Sequence, residues 1–170
     1  MTVMCAVFTI LLVVGASVAQ AQQATAPASA TNYTWHAELV SFDQNGKTVT
    51  LKTMVVATDA ANQIKTFKAG DRVLLQWSGF DTSASGIRGF MKYDAAAAGK
   101  EPFLLPVEVA TPSVDNSYVT FKLRVPDSAA TTLQALKPGE WVTITSKHRP
   151  SSDADAVTAV RPYVQSDQKS

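Results

Sequence analysis

Phe67–Trp77 reads FKAGDRVLLQW, and Leu136–Thr145 reads LKPGEWVTIT. Each phrase runs through Lys-x-Gly-acid into a run of strand-forming residues. Glycine takes the positive φ that a tight turn needs, and Val73, Leu75 and Trp77 alternate as one face of a strand does. The flanking segments correspond as well. Glu38 falls on Glu108, Val49 on Val119, Thr50 on Thr120 and Lys52 on Lys122. Lys68 falls on Lys137, Gly70 on Gly139, Asp71 on Glu140, Val73 on Val142, and Tyr93 on Tyr163. An ordered correspondence of this kind marks an internal repeat. The unit has about 60 residues, and a unit of that size buries little surface alone, so the two copies are expected to pack together.

Short alternating runs with turn residues between them read as strands. In the first copy they are Trp35–Phe42, Thr48–Ala57, Arg72–Trp77 and Gly86–Tyr93. In the second they are Phe103–Thr111, Tyr118–Val125, a run from Trp141 to His148, and Ala156–Val164. Asn45-Gly46 suits a two-residue hairpin turn, which pairs Gln44 with Lys47, Ala37 with Met54 and His36 with Val55. That register puts His36 and Met54 on opposite faces and Met54 with Trp35. Asp94 caps four alanines that Gly99 ends, a single helical turn. The expected fold is all-β: two tandem OB-like five-stranded barrels, or else one sandwich built from both repeats.

The chain opens MTVMCAVFTILLVVGASVAQAQQ. Its apolar core is short of the roughly 20 residues of a membrane span, and Ala19-Gln20-Ala21 has the small-x-small form of a cleavage site. This predicts a secretory signal over 1–21, or else the same segment retained as an anchor, and a flexible Ala/Gln/Ser/Thr linker over 22–32. Repeat 1 then covers 33–94, a connector 95–101, repeat 2 102–165, and a tail 166–170. The expected location is the periplasm or exterior of a bacterium, with no membrane span after cleavage. The only cysteine, Cys5, lies inside the signal, so the mature chain has no disulfide and no thiolate nucleophile.

The repeated phrases, VTLK or VTFK followed by F/L-K-x-G-D/E-x-V, resemble the small OB-fold barrels of exported bacterial proteins. VTFKLRVPDSAATTLQALKPGEWVTIT is most similar to the periplasmic copper-chaperone type. The resemblance implies a barrel, and a copper site of His, Trp and Met near the strand after the VTLK-like one. Only Met54 stands at a position resembling a ligand methionine, and Leu123 occupies its counterpart.

Net charge is +1 and the signs alternate along the chain. No basic block suits a phosphate backbone, which excludes a dedicated nucleic-acid binder. No Ser-His-acid set, paired-carboxylate spacing or Gly-rich phosphate loop is present, so no enzyme is expected. The expected function is a non-enzymatic exported binding or structural module without a cofactor. Its partner would be a protein or small ligand of the cell envelope. The expected surfaces are a face near Trp35 and Trp77, or a free strand edge that takes a partner strand. The alternative is a soft-metal site for copper or silver at His36, Met54 and Met91. Glu38, Glu108, Lys52 and Lys122 read as charges on the wet face, with Glu38 across from Thr53, and the tryptophans as mainly core.

Overall fold

The computed structural model describes residues 32–78, 86–115 and 117–164. The expected signal, most of the linker and the tail lie outside them. The protein is mostly β, with strands β1 (Asn32–Asp43), β2 (Thr48–Met54), β3 (Arg72–Trp77), β4 (Ile87–Lys92), β5 (Leu104–Asp115), β6 (Tyr118–Arg124), β7 (Trp141–Lys147) and β8 (Val157–Pro162). Three short helices join them: α1 (Thr58–Gln63), α2 (Asp127–Ala135) and α3 (Asp153–Ala156). The Asp94 turn forms as expected, with Asp94 Oδ1 accepting the Ala96 N–H.

All eight strands join one antiparallel sheet in the order β4-β3-β5-β6-β2-β1-β7-β8. Exchanging β1–β4 with β5–β8 reads this order backwards, so a pseudo-twofold axis runs between β2 and β6. The strands are exchanged between the halves. β3 pairs with β5, and β7 pairs with β1. This corrects the expectation of two tandem barrels: neither half completes its own pairing. The sheet remains open, with β4 and β8 at its edges, but it curls strongly. Trp35 on β1 and Trp77 on β3 are four strand spacings apart, about 19 Å if flat. Their rings stand 4.9 Å apart. The enclosed face carries Leu39, Leu51, Leu75, Phe121, Leu123 and Ile144 in one core.

The repeated phrase makes the exchange. Lys68–Asp71 and Lys137–Glu140 are turns closed by backbone bonds, Asp71 N–H to Lys68 O and Glu140 N–H to Lys137 O. Gly70 has φ 89° and Gly139 φ 91°. With Pro138 before Gly139, this is type II geometry. The Asp71 and Glu140 carboxylates accept the Lys68 and Lys137 N–H groups at 2.8 Å and 2.7 Å. Each turn then clamps a strand of the other half. Gly70 N–H donates to Val109 O, and Val109 N–H to Asp71 O, both at 2.9 Å. Gly139 N–H donates to Leu39 O, and Leu39 N–H to Glu140 O, both at 2.8 Å. At these points β1 and β5 each carry a bulge, between Leu39 and Ser41 and between Val109 and Thr111.

The bulge at Val40 corrects the hairpin register. Asp43 pairs with Thr48 and Ser41 with Thr50, as expected. Beyond Val40 the register slips by one, so that Leu39 meets Leu51 and Glu38 meets Lys52 rather than Thr53. Met54 then shares the outer face with His36 and is 43% exposed, the reverse of a core contact.

The edges are covered. α1 packs on β4 and α2 on β8, and Gln63 Oε1 accepts the Phe90 N–H at 2.8 Å. Pro162 removes a donor from β8. Such covers keep edge strands from recruiting partners.

Two outcomes follow from this topology. Gly70→Ala and Gly139→Ala will each lower unfolding stability by about 1–2 kcal/mol, measured by urea denaturation. Open space surrounds both positions, so the loss comes from φ alone. A chain nicked between Gly99 and Lys100 will run as a single species in native gel filtration and separate only in denaturant. Pieces that part without denaturant would contradict the exchanged pairing.

Candidate functional site

The outer face of the central strands carries the repeated charges. Glu38 pairs with Lys52 across β1 and β2, and Glu108 with Lys122 across β5 and β6. Their ion-pair distances are 3.9 Å and 2.7 Å. Both pairs are partly solvated, and such pairs contribute about 0–1 kcal/mol. They lie on central strands, so the lysines do not guard an edge. Their importance is positional, as a frame repeated about the pseudo-twofold axis.

What flanks the frame differs between the halves. Opposite Glu38 stands Trp141, and opposite Glu108 stands Arg72. Past Lys52 on β2 comes Met54, paired with Tyr118; past Lys122 on β6 comes Arg124, paired with Thr48. One flank is therefore apolar: Trp141 is 41% exposed, and Lys52 Nζ sits 5.3 Å from the Tyr118 ring. The other flank is basic.

The basic flank surrounds a hollow of about 220 Å³, lined by Thr48, Arg72, Glu108, Lys122, Arg124 and Asp153. Arg72 is held from two sides, by the Tyr93 ring at 4.1 Å and by Asp153 at 3.4 Å. Asp153 is presented by α3, which is pinned in turn. The Ser152 N–H and hydroxyl donate to Asp155 Oδ1 at 2.8 Å and 3.0 Å, and Lys147 Nζ donates to Oδ2 at 3.0 Å. Burial pushes the Asp155 carboxyl up, but Lys147, the Ser152 N–H and the two serine hydroxyls outweigh it. The carboxyl is held well below its ordinary value of 3.8.

The residues singled out in the sequence do not converge. Trp35 and Trp77 do meet, but at 1% and 4% exposure they are core, and Trp35 Nε1 donates to Ser146 Oγ at 2.9 Å. This corrects the expectation of a binding face there; the exposed tryptophan is Trp141. His36 Nδ1 lies 3.1 Å from Thr143 Oγ1, and its ring packs edge-on against Tyr163. Met91 is outward on β4. Ile87 bridges Val55, next to Met54, and Met91 lies four residues further along, about 13 Å. So Met91 cannot share an ion with His36 and Met54. Among the described residues no group of three or more His, Cys, Asp or Glu could hold a metal ion.

A second cluster went unseen in the sequence. Tyr33, Phe103 and His148 pack together at one end of the core, edge to face, with Phe103–His148 centroids at 4.6 Å and Tyr33–Phe103 at 5.0 Å. Phe103 has φ 63° and is tied by its N–H to His148 O at 2.8 Å. Burial, with help from Arg149, lowers the His148 pKa. Burial raises that of Tyr33.

The fold and outer face define a mostly-β protein with one curled antiparallel sheet. No protein-family model matches the sequence, and no curated protein or solved structure matches it. Among the described residues no helix is long and apolar enough to cross a membrane.

Asp155→Asn will lower stability at pH 7 by about 1 kcal/mol, the typical worth of a capping side chain. The folded pKa is depressed, so the wild-type advantage is complete above the ordinary value and fades as pH falls below it. Urea titrations at about pH 7 and about pH 3 should show the gap narrowing in acid. An equal gap at both would mean that the charge is idle.

Proposed function

We propose that this chain is an exported, non-enzymatic binding module that works through the outer face of its sheet. One observation carries the reading. The same Glu–Lys frame occurs twice, with unlike flanks: Trp141, Met54 and Tyr118 on one side, Arg72 and Arg124 on the other. A solvated face with no partner needs only polar residues. An exposed tryptophan and an exposed methionine flanking the same Glu38–Lys52 pair are instead the composition of a contact surface. Export to the bacterial envelope is supported by the apolar opening segment and the Ala19-Gln20-Ala21 site. The repeated phrases resemble those of small exported OB-fold barrels, and this likeness of sequence is an analogy that adds little to the binding reading. The soft-metal alternative keeps His36 and Met54 as a pair on one face, without Met91.

The test is capture of a partner from envelope extract on the immobilised chain, followed by affinity measurement with the purified partner. Trp141→Ser with Met54→Ser should weaken binding at least tenfold, the size expected for a central aromatic anchor. A substitution at Gln134, exposed on α2 and off the sheet, should leave it unchanged. Binding indifferent to Trp141, Met54, Arg72 and Arg124 would refute the outer-face reading.

A further inference from the structure

We infer that the hollow beside Arg124 is a binding site for a single carboxylate group. The inference deepens the outer-face reading and rests on it, by naming the chemistry that one flank takes.

Charge is the first argument. Three cations, Arg72, Lys122 and Arg124, face two carboxylates, Glu108 and Asp153. The pairing within this set is uneven. Lys122 is committed to Glu108 at 2.7 Å, and Arg72 to Asp153 and the Tyr93 ring. The Arg124 guanidinium makes no ion pair or ring contact among the described residues. Its planar fork of donors matches a carboxylate in two-point geometry. The local excess of one positive charge suits a monoanion, because Glu108 and Asp153 would repel a second negative charge.

Size is the second argument. At about 220 Å³ the hollow is below the roughly 300–1,000 Å³ of sites that enclose a whole small ligand. It suits one functional group with the remainder of the ligand outside. Rigidity is the third. Arg72 is fixed by a ring and a carboxylate, and α3 is fixed by its serine–aspartate box. A prearranged site loses less freedom on binding. The fourth is symmetry. The same place in the other half holds Trp141 and Met54, so the fold does not require cations there.

The carboxylate could belong to a free small acid or to a peptide, and the experiment separates them. Amide spectra of the full chain would be recorded during titration with sodium acetate, and with sodium chloride at equal ionic strength. Saturable shifts at Gly46, Thr48 and Leu123 are expected with acetate alone, with Kd in the millimolar range. Arg124→Gln should weaken this at least tenfold, while Lys65→Gln, an exposed lysine that does not line the hollow, should not. Spectra away from the hollow report that both variants remain folded. Identical shifts in chloride, unchanged affinity in Arg124→Gln, or tighter binding of inorganic phosphate would each overturn the assignment. In a second arm, a blocked peptide with one aspartate and one aromatic residue replaces acetate. Shifts that also reach Met54 and Tyr118, about 20 Å along the strands, assign the carboxylate to a peptide. Shifts confined to the hollow assign it to a small acid. Acetate failing while capture still depends on Trp141 and Met54 would sink this inference and leave the outer-face reading standing.

Discussion

Each Lys-x-Gly-acid turn holds the bulged strand of the opposite half through two backbone hydrogen bonds, and the rest of the structure depends on that clamp. The bonds from Gly70 and to Asp71 seize Val109; those from Gly139 and to Glu140 seize Leu39. A bulge leaves a strand locally unpaired and more sharply twisted. Buried backbone groups must find partners, so a strand that bends here needs something to meet the groups released. The turn supplies a donor and an acceptor from adjacent residues, but only if its glycine adopts φ near 90°. The carboxylate of the same turn keeps it closed from within. One short phrase thus shapes itself and allows its partner strand to curve.

The curvature decides the core. A flat eight-stranded sheet would leave one broad apolar face in water, and burying that face is the main favourable term in folding. Bending β1 and β5 at equivalent points turns both ends of the sheet toward the same side. That brings Trp77 against Trp35, and Trp35 against Phe121. Because the clamp acts across halves, curvature and strand exchange are one event. Neither copy can close around its own apolar face without the other's turn. This agrees with the limited area that a unit of its size can bury alone.

How much of this could be read from the chain follows the same physics. The eight strands and both turns were legible, because alternation and glycine placement are local. The bulge left a trace: Leu39-Val40-Ser41-Phe42 breaks strict alternation, as does Val109-Ala110-Thr111. Read as an uninterrupted hairpin, that break was missed, and Met54 was put in the core rather than outside. The exchange left no trace, since two copies with one pattern satisfy pairing equally well within a half or across halves. Helix α2 buries one i, i+4 pair, Ala129 with Leu133, and α1 buries Ala60 with Ile64 just past its end, too few apolar positions to show a helical period. Trp35 and Trp77 were found together for a reason opposite to the one expected. Of the candidate site, the Glu–Lys frame was visible as a repeat. Its flanks were not, since Trp141 meets Glu38 and Arg72 meets Glu108 only through pairing between halves.

In a tandem of separate barrels, each surface would be built from one copy, and a change would alter one whole unit. Here every surface is mixed. The basic hollow takes Arg72 and Thr48 from the first copy, and Glu108, Lys122, Arg124 and Asp153 from the second. The apolar flank takes Glu38, Lys52 and Met54 from the first copy, and Trp141 and Tyr118 from the second. The backbone clamp and the inward residues must stay matched between copies, since each half completes the other's core. The outward residues are under no such tie. Position 72 and its counterpart 141 can hold an arginine and a tryptophan on the same strand geometry, because pairing uses only their backbones. An exchanged sheet of this kind preserves its symmetry where it packs and can lose it where it meets solvent. The outer face, not the core, is therefore where the chemistry that distinguishes this protein is to be sought.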